Sequence, residues 1–299
     1  MINWELEAYP DMSDLALVPF IAVMFLIVRF LLDRLLLERI GKLLLLGSSK
    51  GLSKHEQKER KKRHEKFKES VWKFLYFLSA ALFELAVLYK ESWFTNTRNF
   101  WVGPGDQVWP DQKVKTKLKA LYVYAAGFYI YSFFAAIFWE TRRSDFVLTI
   151  QHHVATVVLI ILSYVLRFAR VGCVVLAIHD ASDVVMELSK SLKYIGYDLL
   201  PSITFIIFVI SWLVLRIIYF SIWVIWSTSY EVLLILDKRK HRNEPIYYYV
   251  FNTLLICLFI LNIYWWLLMY RMLVKQIKSQ GKVGEDVRSD SEGDDEKED

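Results

Sequence analysis

The chain has 299 residues, of which 55% are hydrophobic and 16% aromatic, and its mean hydropathy is positive, which excludes a soluble enzyme of ordinary composition. Its 37 Lys and Arg exceed its 32 Asp and Glu by five, but the charge is segregated along the chain, so a nucleic-acid-binding surface is a poor explanation for it. Cys173 and Cys257 lie far apart in apolar stretches, which argues against a disulfide framework or a thiolate metal site and reads them as small buried hydrophobes.

The first fourteen residues carry Glu5, Glu7, Asp11 and Asp14 and no Lys or Arg, the wrong sign for a cleaved signal peptide. Apolar stretches then predict membrane helices at about residues 15 to 32, 71 to 89, 120 to 139, 146 to 166, 171 to 192, 203 to 226 and 247 to 270. The chain therefore reads as an all-α polytopic membrane protein of about seven spans. Arg29, Asp33 and Arg34 interrupt the first stretch, for which an interfacial helix is the alternative. Trp93, Trp101, Trp109, Tyr247, Tyr248, Tyr249 and Tyr270 stand near span ends, where an amphipathic ring straddles the headgroup layer.

Between the first two spans, Lys50 to Lys68 holds nine Lys and Arg against three Glu, which the positive-inside rule assigns to the cytosol. The N-terminus is then lumenal and, after seven spans, the C-terminus cytosolic; the Lys238-Arg239-Lys240 cluster runs against this orientation. Glu285 to Asp299 carries nine acidic and two basic residues, too polar to bury a core, and predicts a disordered acidic tail. Ser289 and Ser291, each followed by acidic residues, are candidate phosphorylation sites. The organisation expected is an N-terminal segment with the first span (1–46), a basic cytosolic linker (47–70), a membrane domain that holds the chemistry (71–275) and the acidic cytosolic tail (276–299).

An ionisable side chain near the bilayer centre costs on the order of 2.5 to 3.5 kcal/mol on the insertion scale, so such residues are functional candidates by default. The fourth span opens on Arg142-Arg143-Ser144-Asp145 and carries His152-His153; the fifth carries His179-Asp180-Ala181-Ser182-Asp183, Glu187 and Lys190. At about 100° per residue, Asp145, Thr149, Thr156 and Ser163 fall within about 60° of His152 and form one polar stripe, with His153 at its edge. His179, Asp180, Asp183, Glu187 and Lys190 form a second. His152 lies roughly 14 to 15 Å past the arginine pair, and the two aspartates roughly 15 to 20 Å before Lys193, so antiparallel spans bring them to one level.

Such a site suits acid-base work by an imidazole whose tautomer a carboxylate fixes, with no metal and no cofactor. Neighbouring histidines on one helix point about 100° apart and do not share an ion readily. Helix-gluing polar groups and an ion path are the rival readings, the latter without a visible inverted repeat or paired broken helices. Arg142 and Arg143, at the cytosolic mouth, suit phosphate groups or ordinary positive-inside flanking equally well.

The residues of these two spans also resemble a known pattern. Arg143-Ser144-Asp145-Phe146, His152-His153, Thr156 and Ser163-Tyr164, followed by Arg170, Gly172, His179-Asp180, Ser182-Asp183, Glu187, Lys190 and Tyr194, look like the longevity-assurance motif of ceramide synthases in the TLC-domain superfamily. Trp101-Val102-Gly103-Pro104-Gly105-Asp106, Phe138-Trp139-Glu140-Thr141-Arg142 and the Asp286-Val287-Arg288-Ser289-Asp290-Ser291 tail resemble the plant branch, closest to its very-long-chain class, and a homeobox-like insert is absent between the first two spans.

The resemblance implies a helical bundle or barrel around a lipid tunnel. It implies N-acylation of a sphingoid long-chain base by a fatty acyl-CoA, a co-substrate rather than a cofactor, in the endoplasmic reticulum membrane, with a homo- or hetero-dimer as a partner state and acyl length set near residues 229 to 245. It assigns catalysis to His152, His153, Asp180 and Asp183, and leaves substrate binding to His179, Arg142, Arg143, Asp145, Thr156, Ser163, Glu187 and Lys190. The amine loses its proton to His152 directly, or His152 first takes the acyl group as an acyl-imidazole; the residues leave both routes open. The alternative within the same superfamily is a non-catalytic lipid-sensing or lipid-transport protein.

Overall fold

A computed structural model describes residues 3–46, 53–105, 107–141, 146–197, 199–235 and 244–278. Arg142, Arg143, Asp145, the Lys238-Arg239-Lys240 cluster, Ser289, Ser291 and the tail from residue 279 onward lie outside the described residues. The long helices are α1 (Met12–Leu45), α2 (Lys54–Leu88), α3 (Thr116–Phe138), α4 (Phe146–Val165), α5 (Ala169–Ile195), α6 (Leu199–Ile235) and α7 (Glu244–Lys278). All but α5 are long and apolar enough to cross a membrane. Asp180, Asp183 and Glu187 make α5 too polar by composition alone, yet it packs along α2 and α6 inside the bundle.

Helices α2, α5, α6, α7, α4 and α3 touch in that order and α3 returns to α2, which closes a ring. Helix α1 lies against α3 from outside. Phe25 of α1 sets its edge against Tyr124 and Phe128 of α3 and Tyr76 of α2, with ring centroids 5.1 to 5.6 Å apart. Gly127 permits this approach, because a Cβ there would stand 2.5 Å from Ile21 Cγ2. Leucines, valines and isoleucines dominate the outward surface of α1, α6 and α7, where lipid is their natural neighbour. Cys257 lies on that exposed surface and only Cys173 is buried: residue type alone does not say which face of an apolar helix looks inward.

The basic segment before the second span is helical from Lys54 on. Ser53 accepts from the Glu56 N–H while Glu56 accepts from the Ser53 N–H, a reciprocal cap that starts α2 well before its apolar part. At the opposite end, Glu7–Ala8 (β1) pairs antiparallel with Val114–Lys115 (β2). Beside this pair Trp101 donates Nε1–H to Ser227 Oγ (2.9 Å), and Phe168 stacks on Phe251 with centroids 4.3 Å apart, covering that end of the ring.

Two of the charges that interrupt the first span, Arg29 and Asp33, are satisfied by their neighbours, and Arg34 is exposed. Arg29 donates to Tyr131 Oη (2.7 Å) and Glu140 Oε1 (3.2 Å), Lys73 donates to Glu140 Oε2 (2.7 Å), and Lys68 pairs with Asp33 and Glu38. Glu140 lies in the connection between α3 and α4, outside the spans. Burial alone would raise its carboxyl, but Lys73 and Arg29 override that effect and hold it down to about 2. Glu140→Ala therefore strands Arg29 and costs about 3–5 kcal/mol. The stability that wild type holds over Glu140→Gln is complete above pH 4.5, the ordinary carboxyl value, and is lost as pH falls towards 2. Thermal unfolding of the two detergent-solubilised proteins across that range checks this, and a gap that widens on acidification contradicts it.

Candidate active site

Inside the ring lies a partly open cavity, with about 570 Å³ of space free of protein atoms when its opening is included. His152, Thr156 and Ser163 form one wall along α4, Gly172, His179 and Asp183 face them from α5, and α3, α6 and α7 contribute Tyr129, Arg216 and Leu255. Gly172 preserves the space between α3, α4 and α5: a Cβ there would come within 2.0 Å of Tyr122 Oη and 2.8 Å of Ser163 Oγ.

Of the residues singled out from sequence, His152 is half-buried at the cavity wall, its ring set edge-on to Trp265 at 5.1 Å. Its Nδ1 is buried with no hydrogen-bond partner. Thr156 donates Oγ–H to the His152 carbonyl (2.8 Å), and Ser163 donates to the Ile160 carbonyl (2.9 Å) beside Tyr122 Oη (3.0 Å). His153 does not line the cavity; its centroid is 5.9 Å from that of His152 and 6.3 Å from Tyr129. Glu187 and Lys190 pair with one another at 2.9 Å, away from the described residues that line the cavity. They share the α5 stripe, but α5 turns that part of its polar face elsewhere.

His179 borders the cavity with both ring nitrogens occupied: Nδ1–H donates to the Val175 carbonyl (2.7 Å), which leaves Nε2 to accept from Asn262 Nδ2 (3.1 Å). The hydrogen bonds thus assign its tautomer. It is locked by structure and offers the cavity the ring itself.

The aspartates do not hold His152. Asp183 accepts from Arg216 Nη2 at 2.5 Å, while Arg216 also donates Nη2–H to the His179 carbonyl (2.6 Å) and Nε–H to Ser182 Oγ (2.6 Å) and stacks over Trp212 at 3.9 Å. Asp180 is fully buried behind Tyr129, which donates Oη–H to its Oδ1 (3.0 Å). The carboxylate–imidazole pair expected from sequence is therefore replaced by Asp183–Arg216 and Tyr129–Asp180 pairs. The physical reason is charge: a guanidinium from α6 neutralises a buried carboxylate more completely than a neutral imidazole does.

Arg216, Tyr129 and Asn262 escaped the sequence reading. An arginine in the middle of an apolar span was a readable signal for the first. It lies where α6 changes to wider i→i+5 turns over Leu213–Ile225, a form common near functional sites. Nothing in the sequence separates Tyr129 from the other aromatic residues of α3. Arg216→Leu leaves Asp183 buried and unpaired and lowers stability by about 3–5 kcal/mol, whereas Arg216→Leu/Asp183→Leu recovers most of the loss. Thermal unfolding of the three proteins tests this, and a double variant no more stable than the single one refutes it.

The chain was compared with known families and proteins. The TLC domain family model matches residues 66–271. Over its whole length the chain is 61% identical to ASC1-like protein 1 of Oryza sativa subsp. japonica, covering 96% of that protein. It is 59% identical over 299 residues to ceramide synthase 1 LOH3 and 55% identical over 301 residues to ceramide synthase LOH1, both of Arabidopsis thaliana, covering 97% of each.

Proposed function

The chain belongs to the TLC-domain family and is a ceramide synthase, a sphingoid base N-acyltransferase that uses fatty acyl-CoA; on that premise we propose that His152 is the group that carries the acyl chain. The observation that carries this reading is the contrast among the polar groups bordering the cavity. His179 and Asp183 are committed to Asn262 and Arg216, whereas His152 meets the same space with an Nδ1 that has no hydrogen-bond partner among the described residues.

A general base gains from a carboxylate that fixes its tautomer and stabilises its charged form; His152 has none, and a neutral imidazole with a free lone pair is a nucleophile. Its nitrogen attacks the thioester carbonyl carbon, the C–S bond breaks, and the imidazole N–H proton passes to the CoA sulfur. The sphingoid amine then attacks the acyl-imidazole, the amide C–N bond forms as the acyl–imidazole bond breaks, and an amine proton returns to the imidazole. Apolar residues such as Leu255 and Leu258 give the lipid tails a surface that water does not compete for. His153, Asp180 and Asp183 are assigned to supporting this site from the second layer, and Thr156 and Ser163 to shaping its α4 wall. Arg142 and Arg143 keep their proposed place at the CoA-binding mouth, and Asp145 its proposed place in substrate binding on the His152 stripe.

The enzyme is assigned to the endoplasmic reticulum membrane, with the β1–β2 end lumenal and the basic start of α2 cytosolic, an orientation that rests on the charge of residues 50 to 68. Very-long-chain acyl-CoA is the proposed donor, on the Gly103-Pro104-Gly105-Asp106 and tail resemblance to the plant class. Purified protein given sphinganine and a panel of acyl-CoAs should release ceramide, most of it from very-long-chain donors; a preference for C16 donors overturns the chain-length assignment. With acyl-CoA alone, intact mass should show one acyl increment on wild type and none on His152→Ala, whose turnover falls at least a hundredfold. Equal increments on both proteins rule His152 out as the acyl carrier.

A further inference from the structure

Helix α2 carries a carboxyl that the reaction has not yet used. Glu84 is 1% exposed, and Asp180 opposite it on α5 is 0% exposed. The two carboxyl groups stand on helices packed along one another and interact across that contact. Neither Glu84 oxygen nor Asp180 Oδ2 meets any other donor among the described residues, while Asp180 Oδ1 accepts the Tyr129 hydroxyl. Two interacting carboxylates, both cut off from water, coexist only with a proton held between them. The groups that face the pair are Tyr76 from α2, Tyr124 and Tyr129 from α3, Cys173 and Asp183 from α5 and Arg216 from α6. The cation among them, Arg216, is already bonded to Asp183.

Tyr129 links this pair to the cavity, since it lines that space and donates into Asp180. A sphingoid amine arrives as an ammonium and must shed a proton before its nitrogen can attack. We propose that Glu84 is a positioning residue that shares one proton with Asp180, and that the pair, reached through the Tyr129 hydroxyl, takes up the proton the ammonium sheds. The step balances. The ammonium gives its proton to Tyr129 Oη, the Tyr129 hydroxyl proton passes to Asp180 Oδ1, and the singly charged pair becomes neutral while the amine nitrogen gains its lone pair. The pair returns the proton towards solvent after the amide forms, and no redox partner is involved.

This inference rests on the acyl-imidazole reading for the order of steps, so the experiment separates the two half-reactions. The full-length enzyme is first loaded with acyl-CoA and checked by intact mass, then mixed with sphinganine, and ceramide release is followed in a single turnover across a pH series. Glu84→Gln keeps the shape and a hydrogen bond to Asp180 but removes the shared proton. It should load like wild type, and the pH midpoint of its amine-transfer step should move by a unit or more. Tyr129→Phe leaves both carboxyls in place and should slow amine transfer at least tenfold. An unchanged midpoint in Glu84→Gln with only a uniform loss of rate, or an unslowed Tyr129→Phe, overturns the proposal. So does a Glu84→Gln enzyme that no longer loads, because that places Glu84 in the architecture of the first half-reaction. Failure of wild type itself to load counts against the acyl-imidazole reading instead.

Discussion

The middle of this protein is buried, and a charge placed there is answered by another side chain. Arg216 reaches from α6 to Asp183 of α5, Arg29 from α1 to Glu140, and Asp180 of α5 meets Glu84 of α2 and Tyr129 of α3. Each contact joins segments distant in sequence, and because lipid tails satisfy leucine as well as another helix does, apolar faces alone leave the choice of neighbour open. The polar pairs therefore specify which helices are neighbours and in what register. Removing one partner of such a pair is costly, while replacing both is tolerated far better, so the pairs are better read as specificity than as a store of stability.

That constraint also separates the reactive groups from the structural ones. A histidine in a sealed space either completes its hydrogen bonds or keeps a nitrogen for chemistry. His179 takes the first course, between the Val175 carbonyl and Asn262, and is held by helices α5 and α7 together. His152 faces the cavity with Nδ1 unpartnered among the described residues, which is the feature behind its proposed role, and its wall is shaped by Thr156 and Ser163 bonding back into their own helix. Spent on the helix backbone, those hydroxyls leave a smooth wall suited to lipid. Gly172 opposite them keeps the wall from closing, because Tyr122 and Ser163 already occupy the place of its missing side chain.

The covered end of the ring and the paired end divide the work. Trp101, Phe168 and Phe251 form an aromatic floor at the β1–β2 end, whereas the other end is laced by Arg29, Lys73 and Glu140. Between them the cavity is lined by apolar side chains such as Leu255 and Leu258, with His152, Asp183 and Arg216 on the same lining.

How much of this was legible beforehand follows from what each signal encodes. Long apolar stretches dictate spanning helices because a bilayer leaves the backbone no other way to satisfy itself, so the all-α membrane architecture was readable, and the span at about 171 to 192, which is α5, was placed by the same hydropathy. The stripe through His152, Thr156 and Ser163 followed from helical periodicity, and those three residues do share one wall. Periodicity gives the face of a helix but not the helix that meets it. Only the tertiary structure decided that Asp183 faces Arg216 rather than an imidazole, that His179 is spent on Asn262, that Glu187 and Lys190 turn away, and that Glu84 stands against Asp180. The pairings between helices arise between residues 33 to 96 positions apart, and it is the closure of the ring, a property of all six of its helices at once, that sets them.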